Sequence, residues 1–216
     1  MIQTFSHTDL NNLDNRFRST LINSISGFKS LQLVGTLSPD DRSNLAVFNS
    51  IFHLGANPPL IGMVVRPDGN EHSTLKNIIS QKFYTLNNVR ESFYKDAHQT
   101  SARYAEGDSE FKNCNFTEQY ISDFSAPFVG ESNIKIGLEL KQIIPVELNN
   151  TNIIIGEIKL IQFEDGILSD DGFINLNQAG SVTVAGLDSY YTTAPLSRLA
   201  YAKPGKEPMI INNQNI

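Results

Sequence analysis

Arg66, Ser73 and Thr74 could together hold an anion. Arg66 ends an apolar run, and Ser73-Thr74 precede Leu75, Ile78 and Ile79 at helical spacing. A guanidinium, two hydroxyls and the free N–H groups of a helix start can surround one phosphate. The same residues have a plainer use, with Ser73 or Thr74 capping the helix and Arg66 a solvated charge at a strand end. Glu139 and Glu157 lie within apolar strands, where they could pair across a barrel as acid and base or alternate outward to water. Asp165, Asp170 and Asp171 surround Gly166 and Gly172 without the alternating ligands and closing Glu of a calcium loop, so they read as turn chemistry.

Other chemistries lack their residues. No Gly-x-Gly-x-x-Gly follows a strand, and Pro204-Gly205-Lys206-Glu207 has neither the upstream Gly nor the Ser/Thr of a phosphate loop. There is no Gly-x-Ser-x-Gly elbow, and His7, His53, His72 and His98 have no metal or catalytic spacing. A triad assembled in space is not legible from spacing. The single cysteine, Cys114, can close no disulfide within the chain and, with no zinc-like spacing, fits a reducing, cytoplasmic setting. No catalytic residue and no metal ligand is assigned.

The elements that must position these groups come from 216 residues, 40% hydrophobic and 19% charged, enough for one domain over 1–216 with a core of about 20–204. A net charge of −6 has the wrong sign for phosphate backbones or anionic lipid, and no run of apolar residues could span a bilayer, so neither nucleic acid nor membrane is expected. The first 30 residues are polar, with Asn23-Ser24-Ile25-Ser26-Gly27 reading as a loop before the regular fold. Leu31–Leu37 and Asn44–Phe52 predict a hairpin across the Ser38–Arg42 turn, and Gly55–Pro59 predicts a break before a strand at Leu60–Val65. A short capped helix over 72–79 and a strand at Phe83–Leu86 follow. Residues 88–108 predict one or two helices. Long strands are predicted at Ile134–Val146 and Asn152–Phe163, with looser chain beyond Gly166. Six or seven strands with few helices predict a mainly β, closed or partly open barrel.

Several stretches resemble the flavin reductase-like, FMN-binding split-barrel family, in that family's order. They are Gly35 to Phe52 with Asn57-Pro58-Pro59-Leu60, then Arg66-Pro67-Asp68-Gly69 and His72 to Ile78. Gly156-Glu157-Ile158, the Leu168–Gly172 turn, Gly186 to Tyr191 and Arg198 to Pro204 follow. The resemblance covers about residues 20–204 and implies a Greek-key split β-barrel of six to seven strands, a homodimer, with FMN bound non-covalently. It places the flavin ring along Asn44, Ala46, Val47, Asn49 and Ser50, and the phosphate at Arg66, Ser73 and Thr74, with Asn77 within reach of the phosphate or ribityl chain. Those strand residues could equally serve ordinary packing, and Asn77 could be a solvated helical Asn. Thr100 and Ser101 match a position near the ligand only loosely, and Tyr190 and Tyr191 could stack on flavin or fill a core or dimer interface.

The implied function is an FMN-dependent oxidoreductase of the flavin reductase type. Electrons would pass from NADH or NADPH to a free flavin, a metal complex or a protein, with the cofactor performing the redox step. The alternative is a non-enzymatic FMN carrier without a nicotinamide site. One departure bears on that choice: many relatives carry a histidine just before the strand at Gly156-Glu157, where this chain has Thr151-Asn152.

Overall fold

The computed structural model describes residues 1–66, 73–105 and 107–211, Ser73 by its backbone alone. Pro67-Asp68-Gly69 and His72 lie outside the described residues. The helices are α1 (His7–Asn12), α2 (Asn15–Ile25), α3 (Ser73–Gln81), α4 (Tyr94–Gln99) and α5 (Glu110–Asn113). The strands are β1 (Lys29–Ser30), β2 (Gln32–Leu37), β3 (Ser43–Phe48), β4 (Ile51–Ala56), β5 (Pro59–Val65), β6 (Phe83–Asn88), β7 (Glu118–Gln119), β8 (Phe128–Val129), β9 (Ile134–Val146), β10 (Thr151–Phe163), β11 (Thr183–Ala185) and β12 (Ser189–Tyr191).

Seven strands form one antiparallel sheet in the order β3-β2-β6-β9-β10-β5-β4, beside small sheets β1-β11-β12 and β7-β8. β3 and β4 stand at opposite edges of the large sheet, yet only Asn49 and Ser50 separate them. Three peptide steps span at most about 11 Å, so the sheet must curl until its edges meet. The Val64 N–H donates to the Ser50 carbonyl at 2.9 Å and ties the link to β5. β2 is buried on both faces: Leu33 packs with Leu31, Leu45, Val89 and Phe111, while its neighbour Val34 packs with Met63, Ile78, Tyr84, Leu138 and Ile154.

Several expectations are corrected. The polar first 30 residues carry two helices, α1 closed by a Ser6–Asp9 capping box and α2 by the Asp14 carboxylate accepting the N–H groups of Arg16 and Phe17. Asn23-Ser24-Ile25 is therefore the last turn of α2; with no buried residue in either helix, capping rather than an apolar stripe marks them. The strand predicted over Asn44–Phe52 splits at Asn49–Ser50, and its second half pairs with β5 instead of β2. Gly55-Ala56 belongs to β4 and Pro59 opens β5, so the expected break is a hairpin whose turn is Asn57-Pro58. The looser chain beyond Gly166 supplies β11 and β12, which pair with each other and, through β11, with β1.

Glu139 and Glu157 are direct partners across β9 and β10, but they face outward. Lys141 Nζ lies 2.7 Å from Glu139 and 3.1 Å from Glu157, and Lys159 Nζ 2.7 Å from Glu157 and 3.4 Å from Glu139. The lysine hydrogen bonds hold both carboxyls below their ordinary range, the opposite of what a general acid needs. Among the described residues no helix is long and apolar enough to cross a membrane, and no group of three or more His, Cys, Asp or Glu could hold a metal ion.

Candidate functional site

A cleft of about 1570 Å³ runs along β3, the start of α3, residues 98–110 and the 187–190 turn. Asn44, Ala46, Val47, Asn49, Ser50, Arg66, Thr74 and Asn77 all line it. Ser73, the ninth residue expected from the sequence, opens α3 in backbone, and its side chain lies outside the described residues.

One polar cluster joins β2, β3 and α3. Thr36 faces Asn44 across the β2–β3 pair and lies under α3. Asn44 Nδ2 donates to Thr74 Oγ1 at 3.1 Å and to Thr36 Oγ1 at 3.4 Å, and Asn77 Nδ2 donates to Thr36 Oγ1 at 3.1 Å. Thr36, Thr74 and Asn77 are buried, so Asn77 is a brace and not a solvated helical residue. Thr74 Oγ1 accepts from Asn44, and Thr74 lines the cleft. Thr36 was not legible as a site residue: in sequence it is one more member of an apolar strand.

The free edge of β3 forms the second feature. The Leu45 N–H donates to Glu110 Oε2 at 3.2 Å and so points away from β2. By the two-residue period of a strand, the backbone of Val47 points the same way, along the cleft wall. Ala46 beside it is small, leaving room for a flat group to approach that backbone. Burial pushes the Glu110 carboxyl above its ordinary value, and the hydrogen bonds from its own N–H and that of Leu45 only partly oppose this.

Past the strand end, Asn49 Nδ2 donates to the Gly186 carbonyl at 3.0 Å and Ser50 Oγ to Asn49 Oδ1 at 3.3 Å. Arg66 extends from the end of β5 into the same end of the cleft, its guanidinium exposed and donating to Asn23 Oδ1 at 2.7 Å. On the facing wall His98 Nδ1 lies 2.6 Å from the Tyr190 hydroxyl, and burial with the nearby Asp188 charge raises the pKa of Tyr190. Thr100 and Ser101 line the cleft, but their hydroxyls close α4 by donating to the carbonyls of Ala97 and His98. Tyr191 packs on Phe28, with ring centroids 4.9 Å apart, and does not line the cleft.

The donor set suits a ligand with a flat polar heterocycle and an anionic tail. Strand-edge backbone and a small side chain lie along one wall, and the Thr74 hydroxyl and the Arg66 guanidinium also line the cleft. FMN has that shape and charge.

The comparisons agree with this architecture. A crystal structure of a candidate flavin reductase with a split barrel domain from Shewanella frigidimarina NCIMB 400 superposes with a TM-score of 0.90 at 44% identity, over 93% of this chain and 100% of that one. Nitrilotriacetate monooxygenase component B from Bacillus cereus has a TM-score of 0.81 at 19% identity, over 92% of this chain and 99% of that one. Flavoredoxin of Desulfovibrio vulgaris (Miyazaki F) has a TM-score of 0.68 at 24% identity, over 82% and 91%. At those lower identities the last two speak for the fold alone. The flavin reductase like domain matches residues 29–178, which hold β1 through β10, α3 and most of the cleft, and the chain belongs to that family.

Proposed function

We propose that the protein is an FMN-binding oxidoreductase that passes electrons from NADH or NADPH through non-covalently bound FMN to an acceptor: a free flavin, a metal complex or another protein. The observation that carries this is the β3 edge, where the Val47 backbone faces a cleft that Thr74 and Arg66 also line. Bound FMN supplies the hydride and electron chemistry through its ring. The protein's part is to hold and orient it. The Val47 N–H and C=O meet the ring edge, Ala46 and Ser50 give it room, and Asn49 fixes the strand end by its bond to Gly186. Arg66, Ser73 and Thr74 take the phosphate, and Asn77 acts through Thr36 to keep Asn44 and Thr74 in place. No side chain is assigned as acid, base or nucleophile. The chain acts as one cytoplasmic unit over 1–216 and as a homodimer with each site near the subunit interface.

The test is an absorbance spectrum of the purified protein loaded with FMN and titrated anaerobically with NADPH and with NADH. Bleaching by either nucleotide supports the reductase and names its donor. A second reading, an FMN carrier without a nicotinamide site, is favoured by Thr151-Asn152 standing where many relatives have histidine; Asn152 pairs with Val65, next to Arg66. Retained flavin that stays oxidised supports the carrier. Failure to retain flavin excludes both.

A further inference from the structure

His98 on α4 and Tyr190 on β12 meet in the cleft from positions 92 residues apart. His98 Nδ1 lies 2.6 Å from the Tyr190 hydroxyl, and the two rings stand edge to face with centroids 5.7 Å apart. Tyr190 also packs on the Tyr94 ring at 5.3 Å, so it is held from two sides. α4 packs against β3, and the side chains of Val47 and Tyr190 rest on the same apolar cluster. The pair therefore borders the strand edge that the flavin reading gives to the ring. At about 1570 Å³ the cleft exceeds the roughly 300–1,000 Å³ usual for one ligand, which leaves room for a second guest beside FMN.

The two groups handle a proton differently. Tyr190 is half-buried, and burial with the nearby Asp188 charge raises its pKa, so it is a phenol at neutral pH. His98 is exposed in the last turn of α4, within reach of water, and an imidazole loads and unloads protons near neutrality. As an imidazolium, His98 donates Nδ1–H to the Tyr190 oxygen, and the phenol hydrogen is then free for another acceptor.

Resting on the flavin reading above, which leaves the acceptor and the proton source open, we propose that Tyr190 is the proton donor to the electron acceptor and that His98 relays protons to it from solvent. The acceptor is a flat conjugated molecule that takes up a hydride and a proton, as quinones do. A metal complex takes electrons alone and has no use for the pair. Bound reduced flavin supplies the hydride. The acceptor then carries a negative oxygen; the Tyr190 O–H bond breaks as a new O–H bond forms on that oxygen. The phenolate takes the Nδ1 proton of the imidazolium, and the neutral imidazole regains a proton from water.

Stopped-flow reoxidation of the FMN-loaded full-length protein, reduced anaerobically with stoichiometric dithionite, tests this with menadione, a quinone, and with ferricyanide, which needs no proton. Tyr190→Phe is expected to slow menadione about 100-fold, the scale of a lost general acid, and to leave ferricyanide unchanged. The variant keeps its fold, because ring packing and the backbone pairing with Val184 hold Tyr190 without the hydroxyl. His98→Gln, which can hydrogen-bond to Tyr190 but relays no proton, should slow menadione by a smaller factor. Tyr191→Phe, outside the cleft, should alter neither rate. Without flavin or turnover, the ring-nitrogen NMR signals of His98 in isotope-labelled protein should shift in Tyr190→Phe and not in Tyr191→Phe. Equal slowing of both acceptors in Tyr190→Phe, or of neither, would overturn the proton donor, and unmoved His98 signals would overturn the pair. A normal menadione rate in His98→Gln would overturn the relay. Wild type reoxidised by ferricyanide and not by menadione would overturn the acceptor class and leave the flavin reading standing. Wild type that retains no FMN would overturn the flavin reading and the proton donor with it.

Discussion

The Tyr84 phenol on β6 lies across Gly156 on β10 so closely that a Cβ at Gly156 would stand 2.2 Å from Tyr84 Oη and 3.0 Å from Leu138 Cδ2. Tyr84 is fully buried and fills the barrel between β6, β9 and β10. Gly156→Ala would force the ring out of a packed core and should cost about 1–3 kcal/mol, read as a lower urea midpoint at unchanged slope.

The Tyr84 hydroxyl meets no hydrogen-bond partner among the described residues, and burial pushes its pKa well upward, so it stays neutral. An unpaired buried hydroxyl is a penalty. Tyr84→Phe should therefore stabilise the protein by about 1 kcal/mol, visible as a higher thermal midpoint.

Thr36 Oγ1 is the oxygen shared by the amides of Asn44 and Asn77. Thr36→Val keeps the shape and removes that acceptor, leaving the buried Asn77 amide without it. A loss of about 1–3 kcal/mol in denaturant unfolding and weaker binding of both FMN and riboflavin are expected, because the brace serves the whole cleft floor.

The Glu139, Glu157, Lys141 and Lys159 quartet makes stability pH-dependent in a defined direction. Hydrogen bonds from Lys141 to Glu139 and from Lys159 to Glu157 lower both folded carboxyl pKa values from the ordinary 4.5. Their contribution is present above that ordinary value and is lost as pH falls through the lowered folded values. At the alkaline end the Lys141 pKa is raised, first by Glu139, so its share persists below the ordinary 10.5 and is lost as pH rises through the folded value. Glu139→Gln should be less stable than wild type near neutrality and converge with it in acid. High salt should shrink the difference, since all four groups are partly exposed.

Cys114 is buried, 3.2 Å from the Tyr104 hydroxyl, and burial raises its thiol pKa. A thiol-specific disulfide reagent should label the native protein slowly and the urea-unfolded protein at once. Prompt labelling of the native form would show that the 104–114 region opens readily.

Much of the barrel was legible because its strands carry their own periodicity. β2, β5, β9 and β10 lie where the apolar runs predicted them, within a residue or two. The split of the second hairpin strand was not legible: Asn49-Ser50 is no stronger a breaker than Asn44 five residues before Asn49, and only pairing with distant β5 sends Ile51 to the other edge. α1 and α2 were hidden for a different reason, since neither buries a side chain and only their caps distinguish them from loop. In the cleft, the β3 residues and Asn77 came from the family resemblance and Arg66, Ser73 and Thr74 also from their chemistry at a strand end and a helix start, whereas Thr36, Glu110 and the His98–Tyr190 contact depend on folding that joins positions far apart in the chain.

The two-residue link between β3 and β4 also governs access. With the sheet's edges stitched at Asn49-Ser50 and Ser50 bonded to Val64, the β3 wall of the cleft cannot swing outward without unzipping strands. The opposite wall, residues 98–105 and 107–110, contains among the described residues no strand and only the short ends of α4 and α5. A bulky planar guest must therefore enter and leave past that wall, and its residence time would be set there and not by the barrel.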